Sequence, residues 1–166
     1  MVEVIMNKVI IIGCPGGGKS TFSKVLQVKT GLPLYHLDML FWNNDKTHVS
    51  RDVFDQRLSD VLNQDKWIID GNYSRTLETR LIECDTVFLL DLPVEECLAG
   101  ISNRIGKPRD DMPWIEQEID KEFKNWIIDF PHKELPRIYE LLKKYSDKNI
   151  IIFNSRPQIE KYLEKI

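Results

Sequence analysis

The sequence predicts an α/β domain built as a doubly wound parallel sheet, and three observations carry that expectation. Short apolar runs alternate with stretches of helical period along all 166 residues, the pattern of strand–helix–strand units. The first run passes directly into a glycine-rich loop that opens a helix, GCPGGGKS at 13–20. The next three runs are followed at once by a carboxylate, Asp38, Asp70 or Asp91, at the sheet edge where such folds bind ligands. The length suits one domain, at roughly 100–200 residues each, and no linker or internal repeat divides residues 1–166.

The elements follow in order. Residues 8–12, KVIII, form a β-branched buried strand ended by Gly13. A helix covers 19–29, with Phe22, Val25 and Leu26 on one face and Gly31 as its stop. Residues 34–37, LYHL, form the second strand. Ser50 caps a helix through about Asn63, with Val53, Phe54, Leu58, Val61 and Leu62 inward. Residues 67–69 form a third strand ending at Asp70-Gly71. A short helix covers 76–82, and 86–90 is the fourth strand, ending at Asp91. Pro93, Glu95 and Glu96 suit the first turn of a helix that reaches about Asn103. GKPRDDMP, 106–113, reads as a mobile loop, the centre of a short lid at about 104–115. Ile115, Ile119, Phe123, Trp126, Ile127 and Phe130 make a helical stripe that Pro131 ends. A helix at 136–145, a fifth strand at 149–153 and a helix capped by Ser155 with Gln158 complete the chain.

Composition narrows the function. Lys plus Arg is 23 and Asp plus Glu is 26, giving a net charge of −3, a poor basis for non-specific binding to duplex DNA. No run approaches the ~18 apolar residues of a membrane span, and the N-terminus lacks the pattern of a signal peptide. Cys14, Cys84 and Cys97 are odd in number and scattered, which suggests neither a disulfide framework nor a zinc site. A cytoplasmic protein is expected.

Gly13, Cys14, Pro15, Gly16, Gly17, Gly18, Lys19 and Ser20 match G-x-x-x-x-G-K-[ST] at every fixed position. The motif sits where its mechanism requires, after a buried strand and opening a helix. Glycines let backbone N–H groups approach phosphate oxygens closely, and the helix N-terminus adds partial positive charge. Lys19 is placed for the β- and γ-phosphates and the Ser20 hydroxyl for Mg²⁺, with Thr21 beside them. Binding of a nucleoside triphosphate is the expectation. A guanine-reading N-K-x-D is absent; Asp147-Lys148-Asn149 has its letters out of order. ATP is therefore expected, with its base near the loop at 154–157 that holds Ser155.

Asp70 ends an apolar strand and is placed to hold a Mg²⁺-bound water. Asp38 is a candidate to orient or deprotonate the phosphoryl acceptor, against an ordinary turn or cap carboxylate. Asp91-Leu92-Pro93 reads as a helix start. Arg75, Arg80, Arg104 and Arg109 are candidates to clamp phosphate charge, the last two on a lid that would exclude water. Cys14, near Lys19 at a helix N-terminus, is read as a small loop filler. His36 is packed or site-lining, and His48 and His132 lack partners at metal-ligand spacing. Tyr35, Phe41 and Trp42 flank Asp38 as stacking or core rings, and Trp126 is core.

GCPGGGKSTFS at 13–23, GLPLYHLD at 31–38, Phe41-Trp42, WIIDGNYSRT at 67–76, Phe130-Pro131 and IIIFNSR at 150–156 together resemble the adenylate-kinase-like P-loop proteins grouped as DNA topology modulation proteins. The resemblance implies an ATP-binding, nucleotide-kinase-like fold with parallel strand order 2-3-1-4-5. Asp70-Gly71 lies where nucleotide kinases carry Asp-Gly after strand three, and Arg75 lies near their acceptor-phosphate arginine. Those kinases have Gly-Phe-Pro-Arg there, whereas this chain has Gly71-Asn72-Tyr73-Ser74-Arg75, which moves the arginine by one place. The reading is an ATP- and Mg²⁺-dependent kinase acting on a nucleotide or another small molecule. The alternative is a nucleotide-gated regulator associated with DNA topology and lacking turnover.

Overall fold

The computed structural model describes residues 5–166. Five strands, β1 (Lys8–Gly13), β2 (Leu34–His36), β3 (Trp67–Asp70), β4 (Thr86–Leu90) and β5 (Asn149–Phe153), form one sheet in the order β2-β3-β1-β4-β5. Every pairing is parallel, so this is a doubly wound parallel sheet in the expected order 2-3-1-4-5. β1 is central, and Val9 to Ile12 have no solvent exposure. A strand buried on both faces has no use for alternation, which is why its sequence is a continuous apolar run.

The helices are α1 (Lys19–Thr30), α2 (Leu37–Phe41), α3 (Arg51–Leu62), α4 (Ser74–Glu83), α5 (Val94–Arg104), α6 (Lys121–Lys133), α7 (Leu135–Lys144) and α8 (Arg156–Lys165). Phe22 of α1, Phe88 of β4, Phe153 of β5 and Tyr162 of α8 stack edge-on and face-on into one aromatic cluster, so α1 and α8 share a face of the sheet. The caps form as expected: Ser50 Oγ accepts from Val53 N at 3.2 Å, and Ser155 Oγ from Gln158 N at 3.4 Å.

Three expectations need correction. The second strand stops at His36, and Asp38 lies on α2, a short helix that local period did not reveal. Pro131 does not end the sixth helix but sits in its last turn. Its missing N–H costs one hydrogen bond, and the burial of Ile127 and Phe130 beside it offsets that loss. Ile115 and Ile119 lie before this helix, which Asp120 caps by accepting from Glu122 N. Residues 105–120 instead run as irregular chain from α5 to α6, tied by Gly106 N donating to Glu116 O at 2.7 Å.

The register sets the site. β1 pairs Ile11 with Asp70, and β2 pairs His36 with Asp70, so His36, Asp70 and the loop after Gly13 emerge from one sheet edge. α5 packs against this loop through two glycines. A Cβ on Gly16 would stand 2.0 Å from Cys97 O, and one on Gly100 would stand 2.0 Å from Gly16 O. Gly16 also has φ +81°, a left-handed conformation that other residues adopt at a cost.

Candidate active site

A cleft of about 1150 Å³ opens at this edge of the sheet. Pro15, Gly16, Gly18, Lys19, Ser20 and Thr21 line one side. Gly13, Cys14 and Gly17 are buried beneath them and shape the loop from behind. The side chain of Asn72 clamps the loop's root: Gly13 N donates to Asn72 Oδ1 at 3.0 Å, and Asn72 Nδ2 donates to Gly13 O at 2.7 Å. The Cys14 thiol is pushed well above its ordinary pKa by its hydrogen bond with Cys97 and by burial, which fits the filler role and not a reactive one.

Ser20 Oγ lies 3.1 Å from Asp70 Oδ2 and 2.7 Å from Asp111 Oδ2. His36 Nδ1 is 2.8 Å from the same Asp70 oxygen. The other Asp70 oxygen, Oδ1, is buried with no hydrogen-bond partner among the described residues. A buried carboxylate oxygen without a donor is costly, and a carboxylate whose other oxygen meets a P-loop serine is a ligand of the kind Mg²⁺ takes. The residues therefore fit Mg²⁺, with Ser20 and Asp70 as the groups to hold it. No group of three or more His, Cys, Asp or Glu among the described residues could hold a metal alone. Phosphate oxygens supply the rest where Mg²⁺ binds with a nucleotide.

Asp38 lines the cleft, and its Oδ1 accepts from the Tyr73 hydroxyl at 2.5 Å. Burial raises the Asp38 pKa, the Tyr73 hydrogen bond opposes this, and the charge of Asp70 adds to the rise. Tyr73 itself holds φ 39°, a left-handed conformation unusual for a bulky residue and associated with functional positions.

Arg80 explains how that conformation is held. It is fully buried and donates to Gly71 O at 2.9 Å, to Asn72 O, and to Tyr73 O at 3.2 Å. It does not reach the cleft as a phosphate ligand; it braces the turn that carries Asp70, Asn72 and Tyr73. Arg80→Met should destabilise the fold by about 3 kcal/mol or more, since three buried carbonyls lose their donor. Urea unfolding checks this, and a loss below about 1 kcal/mol would show that the turn holds itself.

Arg75 also lies outside the cleft. Its guanidinium makes a bidentate, half-exposed pair with Asp55, at 2.6 and 3.2 Å, beside a smaller cavity of about 500 Å³. Ser155 spends its hydroxyl on the cap of α8, and Arg156 is the residue of that loop that lines the cleft. Arg104 and Arg109 do line the cleft, both beside Glu116. Each keeps a buried nitrogen without a hydrogen bond, Arg104 Nε and Arg109 Nη1. Burial and the neighbouring Arg109 charge pull the Arg104 pKa down, and Glu116, whose Oε2 lies 3.3 Å from Arg104 Nε and 3.7 Å from Arg109 Nη1, opposes the fall.

Sequence reasoning passed over Asp111, which was read only as part of a mobile loop. It is buried to 8% exposure, and Arg109 Nε lies 3.2 Å from its Oδ1. Burial works to raise its pKa, but the Ser20 hydrogen bond and the Arg109 charge outweigh that and hold it low. The same segment closes over the cleft through Trp114, whose ring meets Trp42 edge-on at 5.2 Å, and through Asp110, 2.8 Å from Lys24.

No protein-family model matches the chain. It is similar to adenylate kinase from Thermotoga neapolitana, 27% identical over 89 residues. That match takes in 52% of this chain but only 40% of the relative, so it covers less than half of the curated protein's length. Among solved structures, shikimate kinase from Acinetobacter baumannii, in complex with shikimate, superposes with TM-score 0.61 at 16% identity, over 96% of this chain and 92% of that one. Shikimate kinase from Bacteroides thetaiotaomicron gives 0.57 at 18% identity, over 97% and 96%. At such identities these two likenesses speak for the fold.

Proposed function

We propose that this protein is an ATP-dependent phosphotransferase that moves the γ-phosphoryl group to a small-molecule acceptor, a nucleotide or another hydroxyl- or phosphate-bearing compound. The observation that carries the reading is the meeting, in one cleft, of the P-loop, the Asp70 carboxylate, which holds Ser20 through Oδ2 and leaves Oδ1 without a partner, and Asp38. The kinase relatives and neighbours support the same class.

Lys19 and the amides of 15–20 bind and orient the triphosphate. Ser20 and Asp70 would hold Mg²⁺, which neutralises phosphate charge when bound. Arg104 and Arg109 bring their guanidinium charge to the charge that develops on the transferring group. Asp38 accepts the acceptor's proton, with Tyr73 holding one of its oxygens so that the other faces the acceptor. Residues 105–120 exclude water through Trp114 and Asp111. The aromatic side of the cleft, Phe41, Trp42, Tyr73 and Trp114, would receive the acceptor, and the Arg156 loop the base. Three buried free cysteines suit a reducing compartment, and we place the protein in the cytoplasm as one domain. Among the described residues no helix is long and apolar enough to cross a membrane.

Calorimetric titration tests the nucleotide half of this reading. Mg-ATP is expected to bind at least severalfold tighter than Mg-GTP, because no N-K-x-D is present to read guanine. GTP binding tighter than ATP would overturn the assignment. The DNA-associated alternative predicts duplex binding with a steep salt dependence. We expect none at physiological salt from a chain of net charge −3.

A further inference from the structure

We propose that Asp111 is the lid-borne ligand that completes the Mg²⁺ site, so that taking up the cation and closing residues 105–120 over the nucleotide are one event. The inference rests on the phosphotransferase reading and goes beyond it, because that reading needs only Ser20 and Asp70.

Three oxygens converge from three separate parts of the chain: Ser20 Oγ from α1, Asp70 Oδ2 from β3 and Asp111 Oδ2 from the segment before α6. The serine hydroxyl has one proton and two carboxylates to satisfy. Asp70 Oδ2 takes the His36 Nδ1–H as well. One carboxylate contact of Ser20 is therefore always an approach of two acceptors unless a cation lies between them. The spacing suits Mg²⁺. With Mg–O near 2.0–2.1 Å in an octahedron, neighbouring ligand oxygens stand about 2.9 Å apart, and the two contacts here are 2.7 and 3.1 Å.

Independent support comes from Asp70, whose carboxylate is nearly fully buried, lines the cleft and leaves Oδ1 without a partner. The two adjacent lid carboxylates are also treated differently. Asp110 is exposed and pairs with Lys24, while Asp111 alone turns inward. The arrangement thus aims one carboxylate of the lid at the cation site and leaves its neighbour outside as an external tether.

The experiment uses the full chain and the non-hydrolysable analogue AMP-PNP, titrated calorimetrically with Mg²⁺ and with EDTA. The wild type should bind more tightly with Mg²⁺. Asp111→Asn should lose about 10–100-fold of that Mg²⁺-dependent gain, the range for disturbing a metal's ligand environment, with affinity in EDTA little changed. Mn²⁺ in place of Mg²⁺ gives a spectroscopic reading: the paramagnetic resonance of bound Mn²⁺–AMP-PNP should differ between wild type and Asp111→Asn and remain unchanged in Asp110→Asn. Asp111→Ser, which keeps an oxygen without the charge, replaces Asp111→Asn if circular dichroism shows that variant misfolded. Equal or tighter Mg–AMP-PNP binding by the variant would overturn the proposal, and tighter binding would mark Asp111 as a plug that nucleotide displaces. A wild type that binds no AMP-PNP at all would bring down the phosphotransferase reading itself, which separates the two failures.

Discussion

Lys19→Ala is expected to lower transfer from Mg-ATP by about 10²–10³-fold, the range for removing one electrostatic donor to a reacting group, while the melting temperature stays within a few degrees of wild type. The structural reason is that, among the described residues, the Lys19 side chain makes no hydrogen bond or ion pair that holds the fold. It is the first residue of α1 and lines the cleft. Helix α1 is held by Phe22, Ser23 and Leu26, which are buried. Losing a lysine at a helix N-terminus does not weaken the helix, because a cation there opposes the macrodipole. A coupled assay, calorimetry with ATP and a thermal melt on one preparation check the three parts together. Unchanged affinity and unchanged turnover would remove the P-loop from the account.

Asp38→Asn is expected to cut transfer to the acceptor by roughly 10²–10⁴-fold, the range for a general base, with ATP affinity little altered. The substitution keeps the shape, and Tyr73 can still donate to the Asn oxygen. It removes the charge and the basicity. A second signature follows from the raised pKa of Asp38. A base must be ionised, so the wild-type rate should fall as pH drops through a value above the ordinary carboxylate range of about 3.9. That acid limb should vanish in Asp38→Asn. Tyr73→Phe, which frees Asp38 Oδ1, removes the interaction that holds this pKa down and should move the limb to higher pH. Wild-type transfer by Asp38→Asn would make Asp38 a structural carboxylate only.

Most of the sheet was legible because its signals are local. The KVIII run, the WII run before Asp70 and the TVFLL run at 86–90 are apolar for the same reason they are central: neither face meets water. Ser50 and Ser155 were readable as caps because a side-chain oxygen and an N–H three residues on are neighbours in any helix start. The P-loop was readable because its glycines and lysine answer to one ligand. What was not legible depends on contacts far apart in sequence. Arg80 reads like any surface arginine until α4 turns it into the β3–α4 turn. Arg75, five residues after the end of β3, is carried outward to Asp55. Ile115 and Ile119 continue a helical period that the chain abandons in order to place Trp114 against Trp42. Asp111 had a signal that was passed over, a pair of acidic residues between two prolines in a lid. Nothing local shows that one of the pair turns inward 91 residues from Ser20.

The central claim is that this cleft transfers a phosphoryl group. The direct measurement is the transfer of γ-labelled phosphate from Mg-ATP to a panel of nucleosides, nucleotides, sugars and small hydroxy acids, with Lys19→Ala run alongside. The account predicts at least one labelled acceptor, formed by the wild type well above the rate of ATP hydrolysis and reduced about 10²-fold or more by Lys19→Ala. Label that appears only as free phosphate, or an acceptor labelled equally by wild type and Lys19→Ala, would contradict it.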